Sequence, residues 1–269
     1  MTGVVYIPVT ENGTLESIAD ISKVSALDQE YISRIVERIR SVFHGKKLAV
    51  FLRGSLAYGR FMEGISDLDM VVFSDIFSEA ERESAAQIAN RFAIDSKGRY
   101  SLIDISCVEI NCLAQPQWNR LYLNIALTGI ELFNNGLDVR YPMPVFSTEL
   151  SRIISIQTIN DCTQTLENIK SRTSFNYMGI PRGSDFLSVW FARDYIRGLI
   201  SFVMAKKKVF SLNVETCAYE FVCCFPQYRK ITERIFEAER NPICNWQSLE
   251  QLTSEALRVY VKLFNLFFQ

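Results

Sequence analysis

The chain has 269 residues, of which 48% are hydrophobic and 22% are charged, and its formal net charge is −1. A sequence this apolar has ample material for a buried core and is not typical of a disordered chain. The near-neutral charge excludes a strongly basic surface of the kind that binds nucleic acid along its whole length. The charges are unevenly distributed, with 14 basic and 18 acidic side chains in residues 1–145 but 15 and 12 in residues 146–269. This asymmetry fits a cleft with a metal on one wall and an anion on the other, and it also fits chance.

Seven cysteines and a single histidine, His44, limit the chemistry that the chain can perform. The cysteines form no Cys-x-x-Cys pair and lie among apolar residues, which is typical of reduced core cysteines in a cytoplasmic protein. With one histidine, zinc sites and ribonuclease sites that need two or more histidines are excluded. We expect no signal peptide, because the start, Met1–Pro8, has no basic region followed by an apolar stretch. We also expect no membrane span, because no apolar run approaches the roughly 20 residues that a spanning helix needs.

The first half of the chain alternates patterns typical of helices and strands. Apolar residues at about four-residue intervals predict helices, and short runs rich in β-formers predict buried strands. The predicted elements are, in chain order, a helix within residues 15–44, a strand at 47–52, a strand at 68–73, a helix at 78–94 capped by Ser74 or Ser78, a strand at 100–110, a helix at 117–128 and a strand at 130–133. The Asn-Asn-Gly sequence at 134–136 then predicts a turn.

A proline-rich segment at 141–145 is typical of a joint between domains. Beyond it the apolar spacing is helical, and we expect an all-α half. The predicted helices span 148–171, 184–206, 213–224, 228–239 and 246–268. We therefore predict an α+β fold in which an N-terminal domain with a mixed sheet and flanking helices (residues 1–145) is followed by a helical bundle domain (residues 146–269).

The stretch with the clearest chemistry runs from residue 51 to residue 72, FLRGSLAYGRFMEGISDLDMVV. A buried strand delivers Gly54 and Ser55 at its C-terminal end, where exposed N–H groups and a hydroxyl suit a phosphate. Asp67 and Asp69 follow at the start of the next strand, whose period of two places both carboxylates on one face. Two carboxylates entering a core strand require a cation, and hard oxygen ligands beside a phosphate favour Mg²⁺ shared with a nucleotide. Each part alone is commonly a turn or a solvated loop, but the conjunction favours a nucleotide site.

This pattern resembles the signature of the nucleotidyltransferase superfamily typified by DNA polymerase β, over residues 47–110. The resemblance implies that Asp67 and Asp69 are catalytic residues and Mg²⁺ ligands, and that a third carboxylate lies on a later strand. Asp104, in Leu-Ile-Asp-Ile-Ser, fits the family pattern best. Glu109 is the competitor, and its opposite strand parity prevents both side chains from pointing inward. The nucleotide-binding residues that the resemblance implies in this region are Gly54, Ser55 and Ser66.

The C-terminal half is similar, over residues 186–228, to the helical domain of aminoglycoside adenylyltransferases of the streptomycin/spectinomycin type. In that family, cationic side chains of the helical domain contact the triphosphate. An acidic residue near a helix start contacts the aminocyclitol. The resemblance therefore implies that Arg197 and Lys206 bind the nucleotide and that Asp185 binds the second substrate.

The similarity departs from the family pattern at Asn213, where the family has a lysine. Either the lysine run at 206–208 takes that role or the ligand differs. The run also fits an ordinary solvated loop, and Arg197 also fits a helix–helix ion pair. Trp118 is a candidate for stacking on a nucleobase or sugar, with core packing as its alternative.

We predict a Mg²⁺-dependent nucleotidyltransferase that transfers AMP from ATP to a hydroxyl of a small, aminoglycoside-like molecule and releases pyrophosphate. In this hypothesis Asp67 and Asp69 hold Mg²⁺ together with ATP, and Asp104 takes the hydroxyl proton directly or through a second metal. Two alternatives remain open. One is a nucleotidyltransferase of a toxin–antitoxin type that acts on a protein or an RNA end, and the other is a non-catalytic nucleotide-binding module.

Overall fold

The computed structural model of the chain describes residues 4–114, 119–172, 175–177 and 180–268. It divides into two units, one formed by Glu16–Pro144 and the other by Met1–Leu15 together with Val145–Gln269. The first residues therefore group with the C-terminal unit, whereas the limits inferred from the sequence assign them to the N-terminal domain. The reason is backbone pairing, because the Ile7 N–H donates to the Phe210 carbonyl at 2.9 Å and Thr14 forms a bridge with Val145.

The Glu16–Pro144 unit is built on a four-stranded sheet with the order β3-β2-β1-β4. Its strands are β1 (Ala49–Arg53), β2 (Leu68–Ser74), β3 (Ile103–Glu109) and β4 (Ile130–Asn134). β1 runs antiparallel to β2 and β4, whereas β2 and β3 are parallel, so the sheet is mixed as predicted. The central strands β1 and β2 are buried at nearly every position, which explains their continuous apolar runs.

Three α-helices accompany this sheet in the described part of the unit. They are α1 (Ala26–Val42), α2 (Glu79–Asp95) and α3 (Asn119–Thr128). α1 begins later than the start of the apolar pattern because Ser25 caps it, and a short 3₁₀ helix at Ile21–Lys23 precedes the cap. Ser78, rather than Ser74, caps α2 and forms a reciprocal capping box with Glu81.

The second unit is mainly helical. Its helices are α4 (Thr148–Ser171), α5 (Ser184–Gly198), α6 (Ile200–Met204), α7 (Val214–Cys224), α8 (Arg229–Arg240) and α9 (Trp246–Phe268). The helix predicted at 184–206 is thus two helices, α5 and α6. The aromatic side chains of Tyr195, Phe202, Phe221 and Tyr260 are almost completely buried. None of the helices in the described ranges combines the length and apolarity needed to cross a bilayer.

One feature of this unit contradicts the prediction of an entirely helical half. β5 (Phe175–Tyr177) and β6 (Ile180–Arg182) pair as an antiparallel hairpin between α4 and α5. Each strand has three residues, which is fewer than the four to eight over which alternation between apolar and polar side chains is recognisable. A local pattern was therefore too short to indicate the hairpin.

Candidate active site

β1 ends at Arg53, and the chain turns at Gly54 with φ +78° and ψ −164°. This backbone conformation is essentially restricted to glycine. A Cβ atom at Gly54 would also lie only 2.5 Å from Asp69 Oδ2. Glycine is therefore required at this position for two separate reasons, the backbone conformation and the close approach of the Asp69 carboxylate. The Gly54 N–H donates to Thr128 Oγ1 at 3.2 Å, which ties the turn to the end of α3.

Ser55 begins a single 3₁₀ turn, Ser55–Tyr58, where the sequence pattern suggested the start of a longer helix. Its side chain is half-buried. Ser66 is placed differently, because it is buried and its Oγ accepts from the Met62 N–H at 3.0 Å. Ser66 therefore braces the loop before β2, whereas Ser55 has a hydroxyl that can reach a ligand.

Asp67 lies one residue before β2, and Asp69 is the second residue of that strand. Both are half-buried, whereas Leu68 and Met70 are completely buried, as the predicted alternation requires. The Ser101 hydroxyl donates to Asp67 Oδ1. Because the Ser101 N–H also donates to the backbone before β2, the loop that leads into β3 holds Asp67 in place.

A row of three charged side chains crosses the sheet at this end. Arg53 of β1 is opposite Asp69 of β2, and Asp69 is opposite Asp104 of β3. Arg53 Nη2 is 3.1 Å from Asp104 Oδ2 and 3.5 Å from Asp69 Oδ1. The Ser106 hydroxyl donates to Asp104 Oδ1 at 3.0 Å. Two of the predicted carboxylates, Asp69 and Asp104, are therefore neighbours, and the Arg53 guanidinium contacts both of them.

The three charged side chains of this row are largely buried. The side chains of Arg53, Asp69 and Asp104 are 18%, 24% and 6% exposed. A carboxylate as buried as Asp104 requires an ionic or hydrogen-bonding partner, and Arg53 and Ser106 supply both. Arg53 was not among the residues singled out from the sequence, although a charged residue closing an otherwise apolar strand was an available signal.

Glu109 lies at the other end of β3, opposite Ser74. Its carboxylate forms an ion pair with Arg82 of α2 at 3.1 Å. Of the two acidic residues considered for the third position, Asp104 is therefore the one beside Asp69. The catalytic and metal-binding roles of these carboxylates remain predictions.

The carboxylates at this end of the sheet determine how many metal ions it can bind. Across the described ranges, no three His, Cys, Asp or Glu side chains are grouped so as to hold a metal ion. Arg53 contacts both Asp104 and Asp69, and Asp104 is nearly fully buried, whereas Asp67 and Asp69 are half-buried and therefore more accessible to a cation. Mg²⁺ is commonly held by one or two carboxylates together with phosphate oxygens. The residues therefore fit one Mg²⁺ that arrives with a nucleotide, and they do not complete a three-carboxylate site.

The cations predicted to bind nucleotide in the helical unit are exposed but have local partners. Arg197 Nε donates to the Leu212 carbonyl at 3.2 Å. Lys206 Nζ donates to the Cys224 carbonyl at the end of α7, at 3.3 Å, and lies 4.1 Å from the centre of the Phe225 ring. A cation near the C-terminal end of a helix is stabilising. The position of Lys206 is therefore explained by a structural role as well as by the predicted nucleotide binding.

The remaining candidates are placed as follows. Asp185 is exposed in the first turn of α5, near the positive end of the helix dipole. Asn213, at the position where the resembling family has a lysine, caps α7 by accepting from the Thr216 N–H at 2.9 Å. Trp118 lies outside the described residues.

Comparison with known proteins gives information on the fold. No protein-family profile matches the sequence, and no curated protein sequence matches it. A similar solved structure is that of spectinomycin adenyltransferase AAD(9) from Enterococcus faecialis with ATP and spectinomycin. The likeness has a TM-score of 0.58 and covers 88% of this chain and 98% of that one. This chain therefore shares the fold of that solved structure. At 11% sequence identity the likeness confirms the predicted resemblance for the fold alone.

Proposed function

We propose that the chain is a Mg²⁺-dependent nucleotidyltransferase that transfers AMP from ATP to a hydroxyl of a small, aminoglycoside-like acceptor. The observation that carries the proposal is that Asp69 lies too close to Gly54 to admit a Cβ there, beside Asp67 and paired with Asp104, on a sheet of this fold. The similar structure contains ATP and spectinomycin, which supports a nucleotide and a small hydroxylated acceptor as the substrates. The cytoplasmic location inferred from the cysteines belongs to the same proposal.

The residues have distinct tasks in this proposal. Asp67 and Asp69 hold Mg²⁺, which neutralises charge on the triphosphate and orients it when bound. The Ser55 hydroxyl donates to a phosphate oxygen at the end of β1, and Ser101 keeps Asp67 in its orientation. The acceptor oxygen forms a bond to the α-phosphorus as the bond to pyrophosphate breaks, and the hydroxyl proton passes to Asp104. Positioning and charge neutralisation account for most of the acceleration in such transfers.

The resemblance also assigns roles to three side chains of the helical unit. Arg197 and Lys206 are exposed cations that bind the triphosphate, and Asp185 is an exposed carboxylate that binds an amino group of the acceptor. Binding through Arg197 or Lys206 exchanges a hydrogen bond to a neutral backbone carbonyl for an ion pair with phosphate, in which both partners are charged.

The test is product analysis by mass spectrometry after incubation with ATP, Mg²⁺ and a panel of aminoglycosides that includes spectinomycin. We expect one acceptor to gain the mass of AMP. Asp67→Asn and Asp69→Asn abolish this transfer without unfolding the protein. Glu109→Gln is the matched control, because it removes a carboxylate from the far end of β3, and it retains activity.

Two outcomes contradict the proposal. Retained Mg²⁺-dependent transfer in both Asp67→Asn and Asp69→Asn would remove these carboxylates from the mechanism. Label from the α-phosphate of ATP that is recovered in protein or RNA, with none in the small molecules, would instead assign the chain to the toxin–antitoxin type.

A further inference from the structure

The row formed by Arg53, Asp69 and Asp104 contains one cation, the guanidinium of Arg53. The proposed chemistry assigns no task to it. Adjacent strands are roughly 4.8 Å apart, so the carboxylates on paired residues of β2 and β3 are close enough to repel. In a two-metal site, a divalent cation would lie on such a pair. Here the guanidinium of Arg53 contacts both members.

We propose that Arg53 is the resident counter-cation of the Asp69–Asp104 pair, in the place of a second divalent metal. The chain then binds one divalent cation, at Asp67 and Asp69, rather than two. This inference rests on the proposed function only in that a divalent cation is expected at Asp67 and Asp69.

The strand register explains why the guanidinium lies where it does. Arg53 is the last residue of β1, and its pairing with Asp69 sets it on the same row as both carboxylates. Gly54 follows directly, and its glycine-only conformation prevents the strand from continuing past this row. From this position the side chain extends across Asp69 to Asp104, where Nη2 lies 3.1 Å from Oδ2.

The chemistry of arginine suits this task. The guanidinium remains charged throughout the physiological pH range and offers several donors in a fixed plane. It therefore offsets one of the two negative charges of the pair at all times, whereas a metal acts only when bound. The oxygens that it contacts, Asp69 Oδ1 and Asp104 Oδ2, are also those that a cation between the two side chains would need. Arg53 and a second metal are consequently alternatives.

The experiment counts bound Mn²⁺ by electron paramagnetic resonance, with a non-hydrolysable ATP analogue present. Only those sites that Asp69→Asn removes are counted, which excludes adventitious surface binding. We expect one such site in the wild-type protein and two in Arg53→Gln. Arg82→Gln is the matched control, because it breaks the ion pair with Glu109 at the other end of β3, and it retains one site.

A second measurement uses thermal unfolding without nucleotide. Arg53→Gln is expected to melt at a lower temperature than the wild-type protein in the absence of divalent cations. Mn²⁺ should restore it, with little effect on the wild type. Adding Asp104→Asn to Arg53→Gln removes one of the two repelling charges, so the double variant should lose both the second Mn²⁺ site and the Mn²⁺-dependent rescue.

Two sites in the wild-type protein, or equal counts in wild type and Arg53→Gln, would overturn the inference. A wild-type count of two would overturn it even if Arg53→Gln does not fold. Failure of the proposed function has a different signature, namely a wild-type protein that transfers no AMP to any acceptor. In that case a gain of one Mn²⁺ site in Arg53→Gln would still support the role of Arg53.

Discussion

Replacing Gly54 with alanine adds a single methyl group at the point where β1 meets Asp69. The new Cβ would lie 2.5 Å from Asp69 Oδ2, whereas an ordinary van der Waals contact begins near 3.4 Å. The carboxylate or the turn must therefore move by about 1 Å, a displacement that can reduce a catalytic rate by about 100-fold. The backbone conformation, φ +78° and ψ −164°, adds a cost of about 1–3 kcal/mol in an L-residue.

The matched control is Gly45→Ala. Gly45 also has positive φ, +85°, but nothing lies within 4 Å of the Cβ that alanine would add there. Both substitutions therefore strain the backbone, and only Gly54→Ala displaces Asp69. We expect urea denaturation to show a loss of stability in both variants, of about 1–3 kcal/mol in Gly54→Ala and about 1–2 kcal/mol in Gly45→Ala.

The assay is the rate of AMP transfer at saturating ATP, measured with the acceptor that the product analysis identifies. Gly54→Ala should lose about 100-fold in this rate, and Gly45→Ala should lose none. Wild-type activity in a folded Gly54→Ala would refute the reasoning, because the carboxylate would then have tolerated the displacement. An equal loss in both variants would attribute the effect to backbone strain in general.

Two further predictions concern ion pairs that support the sheet-containing unit. Burial raises the pKa of Asp28, but hydrogen bonds from Arg99 and other donors outweigh it and hold the pKa below its usual value. Asp28→Ala should therefore lower the free energy of unfolding by about 3–5 kcal/mol at pH 7, measured in urea, since it leaves Arg99 without its buried partner. The Lys46 ammonium and the backbone N–H of Ser78 lower the pKa of Glu81 to about 2. Because the folded value is lower than the unfolded value, this contribution is present above about pH 4.5 and is lost as the pH falls toward 2. Pairs of melting curves for wild type and Glu81→Gln should converge over that interval, and a constant difference between them would contradict the assignment.

Local sequence patterns were sufficient for much of the fold. The limits of α4 and α9 coincide with the predicted ranges 148–171 and 246–268, because apolar residues at helical spacing continue without interruption to each end. The strands β1 and β2 were also predicted to within two residues at each end, because both are buried on both faces and read as apolar runs. Gly54 and the Asp67–Asp69 pair could be recognised because their chemistry is carried within one short segment.

The arrangement around that segment depended on contacts that no local pattern contains. Periodicity shows which face of a strand a side chain occupies, but it does not specify the neighbouring strand or the register. The parallel pairing of β2 with β3 sets Asp104 beside Asp69 and leaves Glu109 with Arg82. Likewise, pairings such as that of Ile7 with Phe210 assign the first residues to the helical unit. No local pattern indicates them, because the two partners are far apart in sequence. The charge of Arg53 was visible in the sequence, but its position on two carboxylates was decided by three strands meeting in one register.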